Sequence, residues 1–297
     1  MAFSAEVKQE LCRQPLRRRC CAQAEAYGVL LYANTFHSRQ ARIITESAAL
    51  KERLPRLFYK AFRLDFDQAP EGEGKGSFLL EDPDKLRTVF ETFGLGWPDS
   101  LSLHINLSLL EEDHCRAAFL RGAFLAGGSV TAPMKSYHLE LATSHYHVGR
   151  ETPALLHEAG FSPKLTTRKG NQIVYFKQCD HIEDFLTAIG APVSAMEVMN
   201  AKLERDIRGS VNRQVNCDSA NADKTVAAAS GQLSAIQRLE EAGRLASLPD
   251  KLREAARLRL DNPELALSQL AALCDPPVSK SALNHRMRKL LELSQTI

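Results

Sequence analysis

No uninterrupted apolar run in these 297 residues approaches the roughly 20 that a membrane-spanning helix requires. A secretory leader is not expected either, because the opening MAFSAEVKQELCRQ is charged and lacks the apolar centre of a signal peptide. No CxxC pair occurs among the seven cysteines, at 12, 20, 21, 115, 179, 217 and 274, which argues against a zinc ribbon or a thioredoxin-like site. Their odd number and scatter fit reduced thiols in the cytosol. Charge of one sign is also lacking: a formal net +2 is too small to imply a nucleic-acid partner, so any basic footprint must be local. A phosphate-cradling glycine loop is missing as well. EGEGKGS (71–77) follows one strand-like run and leads into another, as a hairpin turn does.

What is present is an ordinary globular composition, 44% apolar and 25% charged, with a length that suggests about two domains. The chain also repeats itself. AEAYGVLLYANTF (24–36) and AFLRGAFLAGGSV (118–130) each place a glycine in mid-helix, Gly28 and Gly122, 94 residues apart. After the first helix, strands are expected at 35–39 and 42–47, a helix at 48–63, strands at 64–68 and 76–80, and a helix at 83–93 stopped by Gly94. The second copy runs through strands at 129–132 and 137–143, a helix at 145–159, strands at 164–168 and 172–176, and a helix at 181–189 ended by Gly190. The expected architecture is α+β: two fused αββαββα repeats, about 15–96 and 110–192, with Trp97-Pro98 in their connection. Glycine and alanine on one face of each leading helix would let the two backbones approach closely along a pseudo-two-fold axis.

AYGVLLYAN (26–34) and LRGAFLAGG (120–128) resemble the paired motifs of the LAGLIDADG homing-endonuclease fold. In that family each helix tip supplies an acid for the metal used in DNA cleavage. The matching positions here hold Ala33 and Gly127, neither of which can ligate a divalent ion, and the neighbouring Asn34 is a lone amide. No catalytic residue and no cofactor is expected. Tyr27 departs from the pattern, standing where a small residue is expected, and would loosen the helix seam while leaving the fold intact. Cleaving relatives use the sheet as a DNA saddle. Here the first repeat sets Arg39, Arg42, Arg63 and Lys75 against Glu46, Asp65, Asp67, Glu71, Glu73, Glu81 and Asp82. The second sets Lys135, Lys164, Arg168, Lys169 and Lys177 against Glu140 alone. A solvated charged face is favoured over a DNA groove.

Beyond Gly190 the texture changes. RDIRGSVNRQVNCDSANADKTV (205–226) is polar and rich in residues that favour caps and turns, so 205–219 is expected to be a junction, with Asp218 or Ser219 capping a helix over 220–241. An incidental role is favoured for Cys217 over a reactive thiol. Leu252, Ala255, Ala256, Leu258 and Leu260 mark a further helix closed by Asn262-Pro263, and Leu267, Leu270, Ala271 and Leu273 a short one. After the break at Cys274-Asp275-Pro276-Pro277, Ser279 is a suitable N-cap for a last helix to about Leu293. Three short helices with a tight break before the last are the pattern of a helix-turn-helix, core 247–293 within a domain 220–297. No acid occurs from Pro276 to Leu291. Ser279, Lys280, Ser281, Asn284, His285, Arg286, Arg288 and Lys289 are the candidate DNA-binding residues. Asparagine suits adenine and arginine guanine, with Arg288 and Lys289 placed for phosphate.

A degenerate LAGLIDADG region (1–204) joined to a helix-turn-helix is the layout of the WhiA family of bacterial DNA-binding regulators. SVNRQVNC (210–217), LPDKLREAARLRLDNP (248–263), PPVSKSALNHRMRKL (276–290) and the opening FSAEVKQEL resemble it closely. The resemblance covers essentially the whole chain. It implies a non-enzymatic, sequence-specific binder of double-stranded DNA at the nucleoid. It further implies links to cell division, chromosome segregation and transcription, with sporulation in some relatives, and a possible protein partner on the N-terminal region. Other constellations count for less. Arg13, Arg17, Arg18 and Arg19 read as an exposed loop. Nothing in the linear sequence brings Cys20-Cys21 to His145-x-His147, and His114-Cys115 and Cys179-x-His181 lack companions, so no metal site is expected.

Overall fold

The computed structural model describes residues 2–72, 74–98 and 102–296. It divides into two compact units, Met1–Arg205 and Asp206–Ile297. The first opens on α1 (Phe3–Cys12), which buries Phe3, Val7 and Leu11 at helical spacing. Two related halves follow. The first half comprises α2 (Arg19–Leu31), β1 (Thr35–His37), β2 (Gln40–Thr45), α3 (Ala48–Phe62), β3 (Gly76–Leu80) and α4 (Pro83–Thr92). The second comprises α5 (Asp113–Gly127), β4 (Gly128–Val130), β5 (Leu139–Thr143), α6 (Tyr146–Glu158), β6 (Lys164–Arg168), β7 (Asn171–Phe176) and α7 (Cys179–Ile189). Their antiparallel sheets have the orders β1-β2-β3 and β4-β5-β7-β6. The α+β repeat read from the sequence is therefore present, with one strand fewer than expected.

That difference lies at 64–68, where β6 has no counterpart. Only an isolated bridge, Gln68 to Leu79, survives of the pairing. The cause is Asp67, whose carboxylate accepts from the backbone N–H groups of Glu81 and Asp82 at 2.6 and 2.8 Å and binds Lys85 at 2.5 Å. These bonds fix the segment as a loop that caps the entry to α4, and the following Pro70 cannot donate to a ladder.

The seam between the halves is the pair α2 and α5. A Cβ built on Gly28 would stand 2.0 Å from the carbonyl oxygen of Phe119, and one on Gly122 2.0 Å from that of Glu25. The two contacts are reciprocal under the 94-residue offset, so the backbones touch where the sequence repeat places glycine. Tyr27 does not loosen this seam, contrary to expectation. Its ring is fully buried against Phe93 and against Phe119 of α5, and its hydroxyl donates to His104 O (2.6 Å) and accepts from Asn106 N (3.0 Å). Burial pushes that phenol up to about 12. Tyr27 thus ties the connection between the halves to the core.

The seam also holds a buried ion cluster that the sequence did not signal. Glu25 on α2 is fully buried, receives both Nε and Nη2 of Arg53 on α3 at 2.5 and 2.8 Å, and receives Arg121 Nε on α5 at 2.9 Å. Both guanidinium groups also satisfy backbone carbonyls: Arg53 those of Cys12 and Gln14, Arg121 that of Ile189.

The junction expected at 205–219 is helical. α8 runs from Pro192 to Glu241 as one helix, begun by Glu10 of α1, whose carboxylate accepts from Val193 N, Ser194 N and Ser194 Oγ. Asn, Ser and Asp each cost only a few tenths of a kcal/mol in a helix interior, and no proline interrupts 193–241 to enforce a break. The last turns of α8 belong to the second unit, where Ile236 and Leu239 share a core with Ala255, Ala256, Leu270, Ala271, Leu283, Met287 and Leu290. That core joins α9 (Asp250–Asp261), α10 (Leu267–Ala272) and α11 (Lys280–Ser294). Among the described residues, no helix is long and apolar enough to cross a membrane.

Candidate nucleic-acid interface

The α10–turn–α11 unit is assembled by three devices. Ser279 caps α11, its hydroxyl accepting from Ala282 N at 3.2 Å. The turn from Leu273 to Ser279 is tied back by Val278 N to Ala271 O (3.0 Å) and by Asp275 N to Glu254 Oε1 (2.8 Å). Arg259 of α9 is buried and spans the base of the unit, donating to Gln232 Oε1 at 3.0 Å and Leu265 O at 2.7 Å, with weaker bonds to Asn262 O and Pro263 O. Burial draws its guanidinium below the usual arginine value. Sequence reasoning missed this role, since an arginine in a charged helix reads as surface.

With Leu283, Met287 and Leu290 turned inward, the opposite face of α11 is exposed. It carries Lys280, Ser281, Asn284, His285, Arg288 and Lys289. Arg288 and Lys289 lie near Glu292, at 3.9 and 3.3 Å, in surface pairs that give way readily to a phosphate. Two predicted residues are committed elsewhere. The Ser279 hydroxyl is used in the cap. Arg286 is half-buried and pairs with Glu254 of α9 at 2.9 Å, which locks α11 to α9.

In the first unit, the acids counted against a groove are mostly not on the sheet. β1 to β3 contain no Asp or Glu. Asp67 is spent on backbone, Glu81 binds Gln40, and Glu73 lies outside the described residues. On the second sheet Glu140, Tyr175 and Lys164 are cross-strand neighbours, and Glu140 pairs with Arg168 at 2.9 Å and bonds His138 at 3.2 Å. Burial opposes ionisation of Glu140, but these two partners outweigh it and hold the carboxyl below its ordinary value.

At the C-terminal ends of the seam helices, Ala33 is buried and a Cβ on Gly127 would stand 2.3 Å from Ala142 O and 2.9 Å from Tyr32 Cδ1. Tyr32 bonds Thr152 (2.7 Å), Thr143 Oγ1 donates to Leu31 O (2.7 Å), and Asn34 Oδ1 accepts from Ile44 N (2.9 Å). At the opposite ends the structure corrects the expectation that the scattered cysteines and histidines have no companions. Cys20, Cys21, His114 and Cys115 present ligand atoms that all lie within 4.8 Å of one another. Burial first, and then neighbouring thiols, raises the Cys21 and Cys115 thiols, Cys115 to about 12. His145-x-His147 is not part of this cluster. His147 stacks on His104, which binds Glu151 at 2.6 Å, while His145 Nε2 is buried without a hydrogen-bond partner.

Two halves joined through glycine-seamed helices, each with an antiparallel sheet, followed by a helical module, define a LAGLIDADG-like protein carrying a helix-turn-helix. Family models specify it further: the WhiA LAGLIDADG-like domain matches residues 116–208 and the WhiA C-terminal HTH domain residues 211–294. A relative from Ruminiclostridium cellulolyticum, named "Probable cell division protein WhiA", is 35% identical over 100% of this chain and 98% of its own. One of the same name from Desulfitobacterium hafniense is 37% identical over 100% and 96%. The crystal structure of full-length DUF199/WhiA from Thermatoga maritima matches with a TM-score of 0.62 and 26% identity, covering 100% of this chain and 99% of that one. The chain belongs to the WhiA family.

Proposed function

We propose that this protein is a non-cleaving, sequence-specific binder of double-stranded DNA that regulates transcription in connection with cell division and chromosome segregation, acting in the cytoplasm at the nucleoid. The observation that carries the reading is the exposed face of α11, which carries no acid before Glu292 in its last turn. Asn284 and His285 stand in its second turn, where base edges are read, and Lys280, Arg288 and Lys289 flank them for phosphate. The name that both relatives carry, probable cell division protein, supports the cell-division link. The first unit acts as the modulating or partner-docking part.

The test is duplex binding across a salt series, with operator fragments taken from genome-wide mapping of bound sites. Arg288→Ala and Lys289→Ala are each expected to lower the salt slope by about 1 and to weaken all sequences alike. Asn284→Ala is expected to cost about 1–3 kcal/mol on the operator and little on random DNA. Arg286→Ala serves as a contrast: it breaks the pair with Glu254 and lowers stability without changing the slope. Unaltered affinity and slope in all three surface variants would remove DNA reading from α11.

Absence of cleavage rests on Ala33 and Gly127. Neither offers a carboxylate, and the space beside Gly127 is filled by Ala142 O and Tyr32. Supercoiled plasmid incubated with the protein and Mg2+ is expected to stay intact. Nicking by the pure protein that stops on adding chelator would reverse this part of the reading.

A further inference from the structure

The first turns of α2 and α5 carry two vicinal pairs, Cys20-Cys21 and His114-Cys115, which are equivalent under the 94-residue repeat. Cys21 precedes Gly28 by seven residues and Cys115 precedes Gly122 by seven. Seven residues are close to two helical turns, so each cysteine shares the face on which its helix meets the other. Backbone contact at the glycines holds the helices together two turns away. The pairs therefore converge: Cys21 Sγ lies 3.4 Å from His114 Nδ1 across the seam, and His114 Nδ1 is also 3.2 Å from its neighbour Cys115 Sγ.

Such spacing suits one metal ion. A tetrahedral zinc centre with Zn–S of about 2.3 Å and Zn–N of about 2.0–2.1 Å has ligand–ligand edges of roughly 3.5–3.8 Å. Four ligand atoms within 4.8 Å of one another reach that arrangement with small rotamer adjustments. Thiolates spread around an iron–sulfur cluster must surround several metal atoms and stand farther apart. Three sulfurs and an imidazole are a soft to borderline set that favours zinc over magnesium or calcium. We propose that Cys20, Cys21, His114 and Cys115 form a structural Zn2+ site that staples the N-terminal ends of the two seam helices.

The surroundings fit this assignment. Three thiolates and one dication carry net −1, and both pairs sit at helix N-termini, where a negative charge is favoured. Arg18 and Arg121 lie close enough to Cys21 to act on its charge. Cys20 is exposed, and a cavity of about 240 Å³ lined by Cys20, Gln23, Ser108, Glu112, His114 and Cys115 gives an ion a route in. Binding replaces the three thiol protons with bonds to zinc and releases up to three H+ per ion, with no oxidation step.

Co2+ titration of the full-length, reduced, chelator-treated chain tests the site. One Co2+ per chain is expected, with the intense visible ligand-field bands of tetrahedral coordination, a near-ultraviolet thiolate charge-transfer band, and displacement by one equivalent of Zn2+. Cys20→Ser keeps a surface position and is expected to weaken the charge-transfer band by about a third, while Cys21→Ser and Cys115→Ser abolish tight binding. Cys217→Ser, exposed on α8, leaves the spectrum unchanged. Circular dichroism separates loss of metal from loss of fold, and the unmodified chain decides the matter alone if a variant fails to fold. A weak octahedral spectrum would overturn the proposal. So would a Cys21–Cys115 disulfide whose reduction yields no zinc-binding protein, or a tetrahedral spectrum that survives all three cluster substitutions.

Discussion

Gly122→Ala is expected to destabilise the first unit by about 3 kcal/mol or more, the upper range of overpacking costs. In an isolated helix the same change would stabilise by up to about 1 kcal/mol. The sign reverses because the new methyl would stand 2.0 Å from Glu25 O, 2.9 Å from Glu25 C and 2.9 Å from Val29 N. All three are backbone atoms, so no side-chain rotation relieves the overlap. Restoring a 3.4 Å contact would require α2 and α5 to separate by about 1.4 Å, opening gaps along a seam that includes Val29, Phe119 and Ala123. Gly28→Ala meets Phe119 O at the same 2.0 Å and is expected to match it. The chain has a single tryptophan, Trp97, half-buried in this unit and edge-on to Phe90 at 5.4 Å, so its fluorescence reports this unit's unfolding in urea. Gly231→Ala on α8, in the second unit with nothing within 4 Å, is the control for an open helix, followed by circular dichroism, and is expected to be neutral or slightly stabilising. A Gly122→Ala protein with the wild-type urea midpoint would refute backbone contact at the seam.

The same pair of glycines shows what could be read in advance. A mid-helix glycine repeated at a fixed offset has few purposes other than close approach, so seam, halves and most strands were legible from linear spacing. The α11 face was legible for a similar reason. Leu283, Met287 and Leu290 define the inward side, and the residues between them are then outward. What escaped depended on partners that the linear sequence does not bring together. Asp67 looks like any strand-end acid until its carboxylate is seen on Glu81 N and Asp82 N. Arg286 looks like a base-reading arginine until Glu254 is found beside it. The polar run 205–219 reads as turn because its residues favour caps, yet preferences of tenths of a kcal/mol per residue, and about 1 kcal/mol at Gly209, do not break a helix without a proline to stop it. For the cysteines the signal was available. The 94-residue offset that pairs Gly28 with Gly122 also pairs Cys21 with Cys115 and Cys20 with His114. Extending the repeat one turn beyond the apolar motif would have brought them together.

The second large effect concerns Glu25. Glu25→Gln is expected to cost about 3–5 kcal/mol, the range for breaking a buried ion pair on one side. The carboxylate is 0% exposed, and its partners Arg53 and Arg121 are 4% and 13% exposed at the side chain, so water cannot replace it. A glutamine of the same shape keeps one acceptor oxygen but turns an N–H2 donor towards a guanidinium, leaving two buried cations without a counter-charge. Arg53→Met should be equally harmful for a further reason: it also strands the carbonyls of Cys12 and Gln14. Removing both charges relieves the uncompensated ion but not those carbonyls. The double variant is therefore expected to be more stable than the sum of the two losses implies, yet less stable than wild type. Urea unfolding followed at Trp97, run as a double-mutant cycle, measures the difference as a coupling energy. Additive losses, or a Glu25→Gln protein within about 0.5 kcal/mol of wild type, would mean that the cluster does not join α2, α3 and α5. The expected coupling would instead show that Glu25 binds α3 to α2. The same cycle run with Arg121→Met, whose Nε lies 2.9 Å from Glu25 Oε2, measures the tie to the other half, set one turn before the glycine that lets the halves touch.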